Sequence, residues 1–153
     1  HEEAIALGDE IRLIAHQLHS PTFEQAGFEV TLRSFCHEFS ALTQLPVHLS
    51  IHGETHIPAD IALCSYRVLQ EALRNIQKHA RATSIQVHVG LGSRIVLLIA
   101  DNGAGMDANQ LNGSNGLGLK SMRERVKSLS GAFRISQRRN GGMMVSVEIP
   151  LEK

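Results

Sequence analysis

Apolar residues repeat along this chain with two different periods. Helical spacing runs over residues 2–19, from about Phe23 to Leu45 with a break near Gly27, from Pro58 to about Ala80, and from Leu119 to Ser130. Each of these segments is predicted to be a helix. We expect the last of them to end at Gly131, since glycine favours the left-handed cap of a helix.

Strand-like alternation or continuous apolar character marks five further segments. The predicted strands are 47–51, 85–91, 94–101, 133–138 and 143–150. The segment Arg94–Asp101 is apolar on both faces, which predicts a central strand. The last two strands flank Asn140-Gly141, a strong hairpin signal.

The order of these elements predicts an α+β fold. Helices alternate with a mixed, mainly antiparallel sheet and would cover one of its faces, giving a two-layer sandwich. Residues 102–118 are rich in Gly and Asn and too long for a simple turn, so we interpret them as a functional loop or lid. The chain's 153 residues suit one domain.

Charge and composition exclude some classes of function. Lys+Arg and Asp+Glu both number 15, so the formal net charge is zero. The chain therefore lacks the excess of positive charge that is typical of direct nucleic-acid binding. The longest apolar run, Ile95–Ala100, is far shorter than the ~20 residues of a membrane helix. The polar start without Met suggests a fragment, and we expect a cytoplasmic domain, with the cytoplasmic part of a membrane-bound sensor as an alternative.

Cysteine and histidine do not form a recognisable metal pattern. Cys36 and Cys64 lie in apolar surroundings without a C-x-x-C spacing and are predicted to be buried free thiols. Two groups of histidines have metal-like spacing without a matching Cys or carboxylate pattern, so we favour no such site there. These groups are His16 with His19, and His48 with His52 and His56.

Three short motifs carry candidate chemistry. On the third helix, Glu71, Asn75, Lys78 and His79 fall on one face if α-helical offsets hold, and their oxygens and cations suit Mg²⁺ and phosphate. A solvated helix face is the alternative for this stripe. Asp101 ends the buried strand and can accept a hydrogen bond from a ligand's amino group, although Asp-Asn-Gly is also ordinary turn chemistry.

The third motif is Asn115-Gly116-Leu117-Gly118-Leu119, which opens a helix. Glycines before a helix N-terminus expose main-chain amides where the dipole favours anions. The motif is neither a P-loop nor a dinucleotide fingerprint, because Gly-Lys-Ser/Thr is absent and no strand leads directly into it. It therefore indicates phosphate binding only weakly when taken alone.

Together and in this order, the three motifs resemble the histidine-kinase branch of the ATPase superfamily that also includes DNA gyrase, a heat-shock chaperone and mismatch-repair ATPases. Residues 71–80 look like its asparagine box, 101–105 like its first glycine box and 116–119 like its second. Residues 118–126 resemble a subfamily whose partners are response regulators with helix-turn-helix DNA-binding domains. The resemblance covers about residues 18–150 and implies the Bergerat-type ATP-binding fold.

The resemblance also implies roles for single residues, with ATP and Mg²⁺ as cofactors. Asn75 would coordinate Mg²⁺, and Glu71 would polarise water or help to hold the metal shell. Asp101 would accept from the adenine amino group, in a pocket shaped by its glycine box. The remaining residues expected at the nucleotide are Lys78, His79, Gly103, Gly105, Met106, Gly116, Leu117, Gly118 and Leu119.

Two departures from the family pattern concern position 143 and the phosphoacceptor. Met143 stands where the family commonly has Thr near the adenine. The subfamily's acceptor is a His followed by Asp on a dimerising hairpin, and this sequence contains no His-Asp pair. Residues 1–20 are expected to be the end of the hairpin's second helix, and 21–153 the catalytic domain.

His37-Glu38 resembles the acceptor pair of other histidine kinases. The asparagine box follows too soon after it for a second hairpin helix, so we interpret His37 as a residue of a domain helix. Three hypotheses remain. The leading one is the catalytic domain of a dimeric sensor kinase that phosphorylates its own hairpin for relay to a response regulator. The others are a nucleotide-sensing or interaction module without transfer activity, and an ATPase of the serine-kinase type.

Overall fold

The computed structural model describes residues 27–105 and 117–152 and the single residues Gly8, Ile11 and Phe23, with the side chain of Leu117 left out. The elements in chain order are helix α1 (Phe28–Thr43), strand β1 (Val47–His52), helix α2 (Ala59–Asn75), a π-helical turn (Ile76–Ala80), strands β2 (Ile85–Leu91) and β3 (Arg94–Asp101), helix α3 (Leu117–Ser128), and strands β4 (Ala132–Gln137) and β5 (Met143–Pro150). Apart from Gly8 and Ile11, the helix predicted over residues 2–19 lies outside the described residues, as does most of the loop predicted over 102–118.

The five strands form one sheet in the order β1-β2-β3-β5-β4. β1 and β2 run parallel, joined through α2, and the other three pairs are antiparallel. β3 lies in the middle of the sheet. The predicted mixed, mainly antiparallel sheet and its central strand are therefore confirmed.

Helices cover one face of the sheet, and the core lies between the two layers. The inward positions of β3 are almost fully buried, at Ile95, Leu97 and Ile99, whereas Val96 and Leu98 on the other face are half-buried. From the helices, Phe39, Leu69 and other large apolar side chains complete the core. The two-layer α+β prediction is confirmed. The second face of β3 is also apolar, and it is only partly exposed.

The start of α1 follows the break predicted near Gly27. Gly27 has a φ of 80°, a left-handed value, and Thr31 donates both its N–H and its hydroxyl to the Gly27 carbonyl. Glycine tolerates this conformation because it has no Cβ. The chain therefore begins a new helix at Phe28.

The end of α3 differs from the prediction. Ser130, not Gly131, has the left-handed φ of 59°. Gly131 N–H donates to Val126 O at 3.0 Å and Ser130 N–H to Lys127 O at 3.0 Å, which is the Schellman pattern of a helix end. Glycine is needed at 131 for another reason: a Cβ there would lie 2.7 Å from Glu148 O.

The two cysteines are buried free thiols, as predicted. Burial raises the pKa of Cys36 to about 12 and that of Cys64 to about 11. Within the described ranges, no set of three or more His, Cys, Asp and Glu side chains is arranged to hold a metal ion. None of the helices in that part of the chain has the length and apolar content to cross a membrane.

Candidate functional site

Asp101 is a buried carboxylate at the end of the central strand, with 2% of its surface exposed. Its Oδ1 accepts the main-chain N–H of Gly103 at 2.7 Å, and its Oδ2 accepts the N–H of Met143 at 3.4 Å. An ionised carboxylate has about four acceptor positions, and the longer bond leaves Oδ2 able to accept from a further donor. Met143 thus contributes a main-chain donor, while its side chain is buried.

The loop after Asp101 is held against the π-helical turn. Ala104 N–H donates to Ala80 O at 2.8 Å. A Cβ at Gly103 would overlap Ala80 O and lie 2.7 Å from the carbonyl carbon. Gly105 has a φ of +76°, and a Cβ there would lie 2.9 Å from Gln137 Nε2. Both glycines therefore allow other parts of the chain to approach closely. The sequence motif predicts that a ligand approaches at the same position.

We expect Gly103→Ala to destabilise the fold by about 1–3 kcal/mol, because the added methyl group overpacks the contact with Ala80. Gly92→Ala is a matched control: a Cβ at Gly92 meets nothing within 4 Å. That variant should change the free energy of unfolding by no more than about 1 kcal/mol. Urea unfolding of both variants measures the difference, and equal stabilities would contradict the packing argument.

Asn102 ties the same loop to the start of β2, a role that the sequence reading missed. Its Oδ1 accepts the N–H groups of Thr83 at 2.9 Å and Ser84 at 3.0 Å, and its Nδ2 donates to Thr83 Oγ1 at 2.8 Å. The Asp-Asn-Gly sequence signalled a turn, but it did not indicate that the Asn side chain bridges two loops far apart in the sequence.

The predicted four-residue stripe on α2 divides into two parts. Glu71 and Asn75 lie within the α-helix and are half-buried, whereas Lys78 and His79 are exposed on the π-helical turn. A π turn uses i→i+5 bonds and so does not preserve α-helical offsets. The α-helical offsets behind the predicted stripe therefore hold only from Glu71 to Asn75, and the predicted helical extent to Ala80 is confirmed.

Glu71 faces the first turn of α3. A Cβ at Gly118 would overlap Glu71 Oε1 and lie 2.9 Å from Glu71 Cδ. The N-terminal turn of a helix carries unpaired amides and the positive end of its dipole, an environment that favours a negative charge. The structure therefore places the first motif beside the third, with glycine required at 118 by the approach of Glu71.

The remaining candidate residues differ in how far the structure describes them. Leu119 is half-buried and packs against the core, and Leu117 is the first residue of α3. Met106 and Gly116 lie outside the described residues. Two groups of candidate residues thus lie at one end of α2. Asp101, Gly103 and Gly105 lie beside the π-helical turn, and Glu71 lies beside Gly118.

Another contact to Asp101 comes from the loop between β4 and β5. Arg138 Nη1 donates to the main-chain oxygen of Asp101 at 2.8 Å. A Cβ at Gly142 would overlap the same oxygen and lie 2.7 Å from the carbonyl carbon. The predicted hairpin around Asn140-Gly141 is confirmed, and its loop spans the five residues 138–142 because β4 ends at Gln137, one residue earlier than predicted. The sequence reading missed Arg138, since no motif marks it.

Comparison with known proteins assigns these features to a family. Residues 61–153 match the model of the histidine kinase-, DNA gyrase B- and HSP90-like ATPases. The chain is 30% identical over 142 residues to the sensor histidine kinase MctS of Rhizobium johnstonii, covering 90% of this chain and 31% of that protein. It is 29% identical over 144 residues to the signal transduction histidine-protein kinase/phosphatase DegS of Brevibacillus brevis, covering 93% and 37%.

The fold is also found in a solved structure. The histidine kinase domain of a blue-light activated histidine kinase from Erythrobacter litoralis aligns with a TM-score of 0.65 at 18% identity, over 84% of this chain and 68% of that one. The chain spans only about a third of the length of the curated relatives it matches.

Proposed function

The chain belongs to the family of histidine kinase-, DNA gyrase B- and HSP90-like ATPases, and from that premise we propose that it is the catalytic domain of a sensor histidine kinase. Its reaction is transfer of the ATP γ-phosphoryl group to a histidine on a dimerisation hairpin. The observation that carries this proposal is the buried Asp101 carboxylate at the end of β3, backed by the Gly103–Gly105 loop and the π-helical turn.

In this proposal Asp101 accepts a hydrogen bond from the adenine amino group. Oδ1 is already engaged by Gly103, which leaves Oδ2 for the nucleotide. Gly103 and Gly105 line the adenine pocket, and Met106 follows them. Asp101 thereby favours adenine, because the adenine amino group supplies a donor that the buried carboxylate oxygen would otherwise lack.

Phosphate and metal binding falls to the other end of the site. Asn75 and Glu71 offer an amide oxygen and a carboxylate one helical turn apart, a donor set that fits Mg²⁺ when phosphates and waters complete the shell. Mg²⁺ would supply charge stabilisation to the transferring phosphoryl group. Asn75 is the proposed metal ligand, and Glu71 would orient water or support the shell. The proposed phosphate and ribose contacts are Lys78, His79, Gly116, Leu117, Gly118 and Leu119.

Asn75→Ala is expected to weaken binding of ATP in the presence of Mg²⁺ by about tenfold and to change metal-free binding by less than about twofold, since losing a charge-assisted contact costs about 1.5–3 kcal/mol. Calorimetry with Mg²⁺ and with EDTA measures both. Gln77→Ala, on the exposed π-helical turn, is the control. Equal losses under both conditions would remove Asn75 as a metal ligand.

The whole protein is proposed to be a homodimer that relays phosphate from its hairpin to a response regulator with a DNA-binding output, with no direct contact of this domain to nucleic acid. Two of the relatives are named as histidine kinases. We propose a cytoplasmic location for the domain. We also propose that residues 1–20 end the hairpin and that the catalytic domain spans 21–153. Phe23 supports this boundary, because its ring lies 6.0 Å from those of Phe28 and Tyr66 in the domain.

A further inference from the structure

The loop 138–142, here termed the β4–β5 loop, contacts Asp101 through Arg138 and Gly142. The pairing of β3 with β5 ends at Ala100 and Met144, one residue before Asp101. Beyond that point the contacts come from other groups: the Arg138 guanidinium at the Asp101 carbonyl, 2.8 Å, and the Met143 N–H at Oδ2, 3.4 Å. Asp101 is thus held at its main chain by the β4–β5 loop and at its side chain by Met143, the first residue of β5.

The β4–β5 loop is itself fixed by main-chain hydrogen bonds. Arg138 N–H donates to Gly142 O at 2.9 Å, and Gly141 N–H donates to Arg138 O at 3.2 Å. Gly141 and Gly142 have φ values of +96° and +87°. The base of the Arg138 side chain is therefore anchored, and its guanidinium, which is planar and always charged, points a rigid donor at the carbonyl.

The loop also reaches the residues that follow Asp101. Gly103 O lies 3.5 Å from the position of a Cβ on Gly141, and the Gln137 side chain lies beside Gly105. Arg138 is half-buried between these contacts, whereas Arg139 is exposed. These two adjacent arginines of one loop thus have different surroundings, and Arg138 is the one that donates to Asp101.

We propose that Arg138 is a positioning residue for adenine recognition, acting through Asp101. Its bond to the carbonyl fixes the Asp101 peptide plane, while Gly103 N–H fixes Oδ1. These two hydrogen bonds restrict the orientation of the carboxylate, so that Oδ2 is held in one position to accept from a ligand amino group. A preorganised acceptor saves the ordering cost that a mobile one would pay on binding. This inference rests on the proposed adenine site and goes beyond it by assigning nucleotide selectivity to Arg138.

The test compares two nucleotides that differ at the group Asp101 would recognise: ATP, and purine riboside triphosphate, which lacks the 6-amino group. The unmodified chain should bind ATP about tenfold more tightly. Arg138→Met should weaken ATP binding about fivefold and leave the analogue's affinity nearly unchanged, so that most of the preference disappears. Arg138→Lys, which keeps one donor, should restore part of it.

Arg139→Met is the matched control, because it removes the same charge from the same loop without the contact to Asp101. It should weaken both nucleotides equally, through long-range attraction to phosphate alone. In an Asp101→Ala background, Arg138→Met should have no further effect on the preference. If Arg138→Met lowers stability, the ratio of the affinities for the two nucleotides and the Arg138→Lys variant still test the inference.

Equal loss for both nucleotides in Arg138→Met, or an unchanged preference, would overturn the inference. If the unmodified chain shows no preference for ATP, or Asp101→Ala retains it, the proposed adenine site fails and the inference fails with it. If Asp101→Ala abolishes the preference and Arg138→Met does not, the adenine site stands and only the role of Arg138 is lost.

Discussion

Asp101→Ala is expected to weaken ATP binding by about ten- to a hundredfold, the consequence of leaving a donor on the nucleotide unpaired in a buried site at a cost of about 1–3 kcal/mol. The carboxylate is 2% exposed, so water cannot easily replace it as the acceptor. Calorimetric titration of both proteins with ATP and Mg²⁺ measures the loss. Equal affinities would place the adenine elsewhere.

Asp101 also holds the loop that follows it, so the alanine variant combines two effects. Asp101→Asn separates them, because an asparagine can keep an oxygen toward Gly103 N–H while presenting an amide nitrogen in place of Oδ2. It should leave stability closer to that of the unmodified protein and still lose ATP affinity, since a donor would then face the adenine amino group. Glu54→Ala, on an exposed loop, controls for the loss of one negative charge.

The sequence predicted those parts of the site that depend on local patterns. Continuous apolar residues from Ile95 to Ala100 marked a central strand, and an acid directly after such a run must lie at the edge of the core. The glycines at 103 and 118 were also identified, although the structure assigns them close contacts with Ala80 and Glu71. In each case the sequence reveals that a Cβ is absent, but it does not reveal which residue lies against the glycine.

Other features left no signal in the local sequence pattern. The π-helical turn replaces α-helical geometry at Lys78 and His79, and no residue type within 76–80 indicates it. Arg138 lies 37 positions beyond Asp101 in the chain, and the sequence does not distinguish it from the adjacent Arg139. Ser130 adopts a left-handed conformation that glycine usually takes, because the Schellman bonds around it stabilise the helix end. Tertiary packing decides the contact of Arg138, whereas hydrogen bonds within the helix end hold Ser130.

His37, which is followed by Glu38, is a candidate acceptor within this chain, and its surroundings argue against that role. It is exposed on α1, a helix fixed by the burial of Leu32 and Phe39. It lines a groove of about 480 Å³ with residues of β1, including Val47 and Leu49. β1 is an edge strand, and β2 separates it from β3, which carries Asp101.

We therefore expect these 153 residues to bind ATP without phosphorylating themselves. Phosphoryl transfer needs the accepting nitrogen in line with the γ-phosphate, and a histidine on a helix anchored over β1 cannot reach that geometry without unpacking the core. Incubation with labelled ATP should give no acid-labile, base-stable phosphate. A polypeptide carrying a dimerisation hairpin, or a longer chain that includes one, should restore labelling on its own histidine.

Two variants make this expectation decisive. Asn75→Ala in the chain described here should abolish the restored labelling, which ties the transfer to the proposed metal site, whereas His37→Gln should leave it unchanged because His37 lies on the β1 side of the domain. Label that forms on the chain alone and disappears in His37→Gln would identify His37 as the acceptor. That result would require α1 to leave its place in the core, since Leu32, Cys36 and Phe39 hold the helix on the sheet.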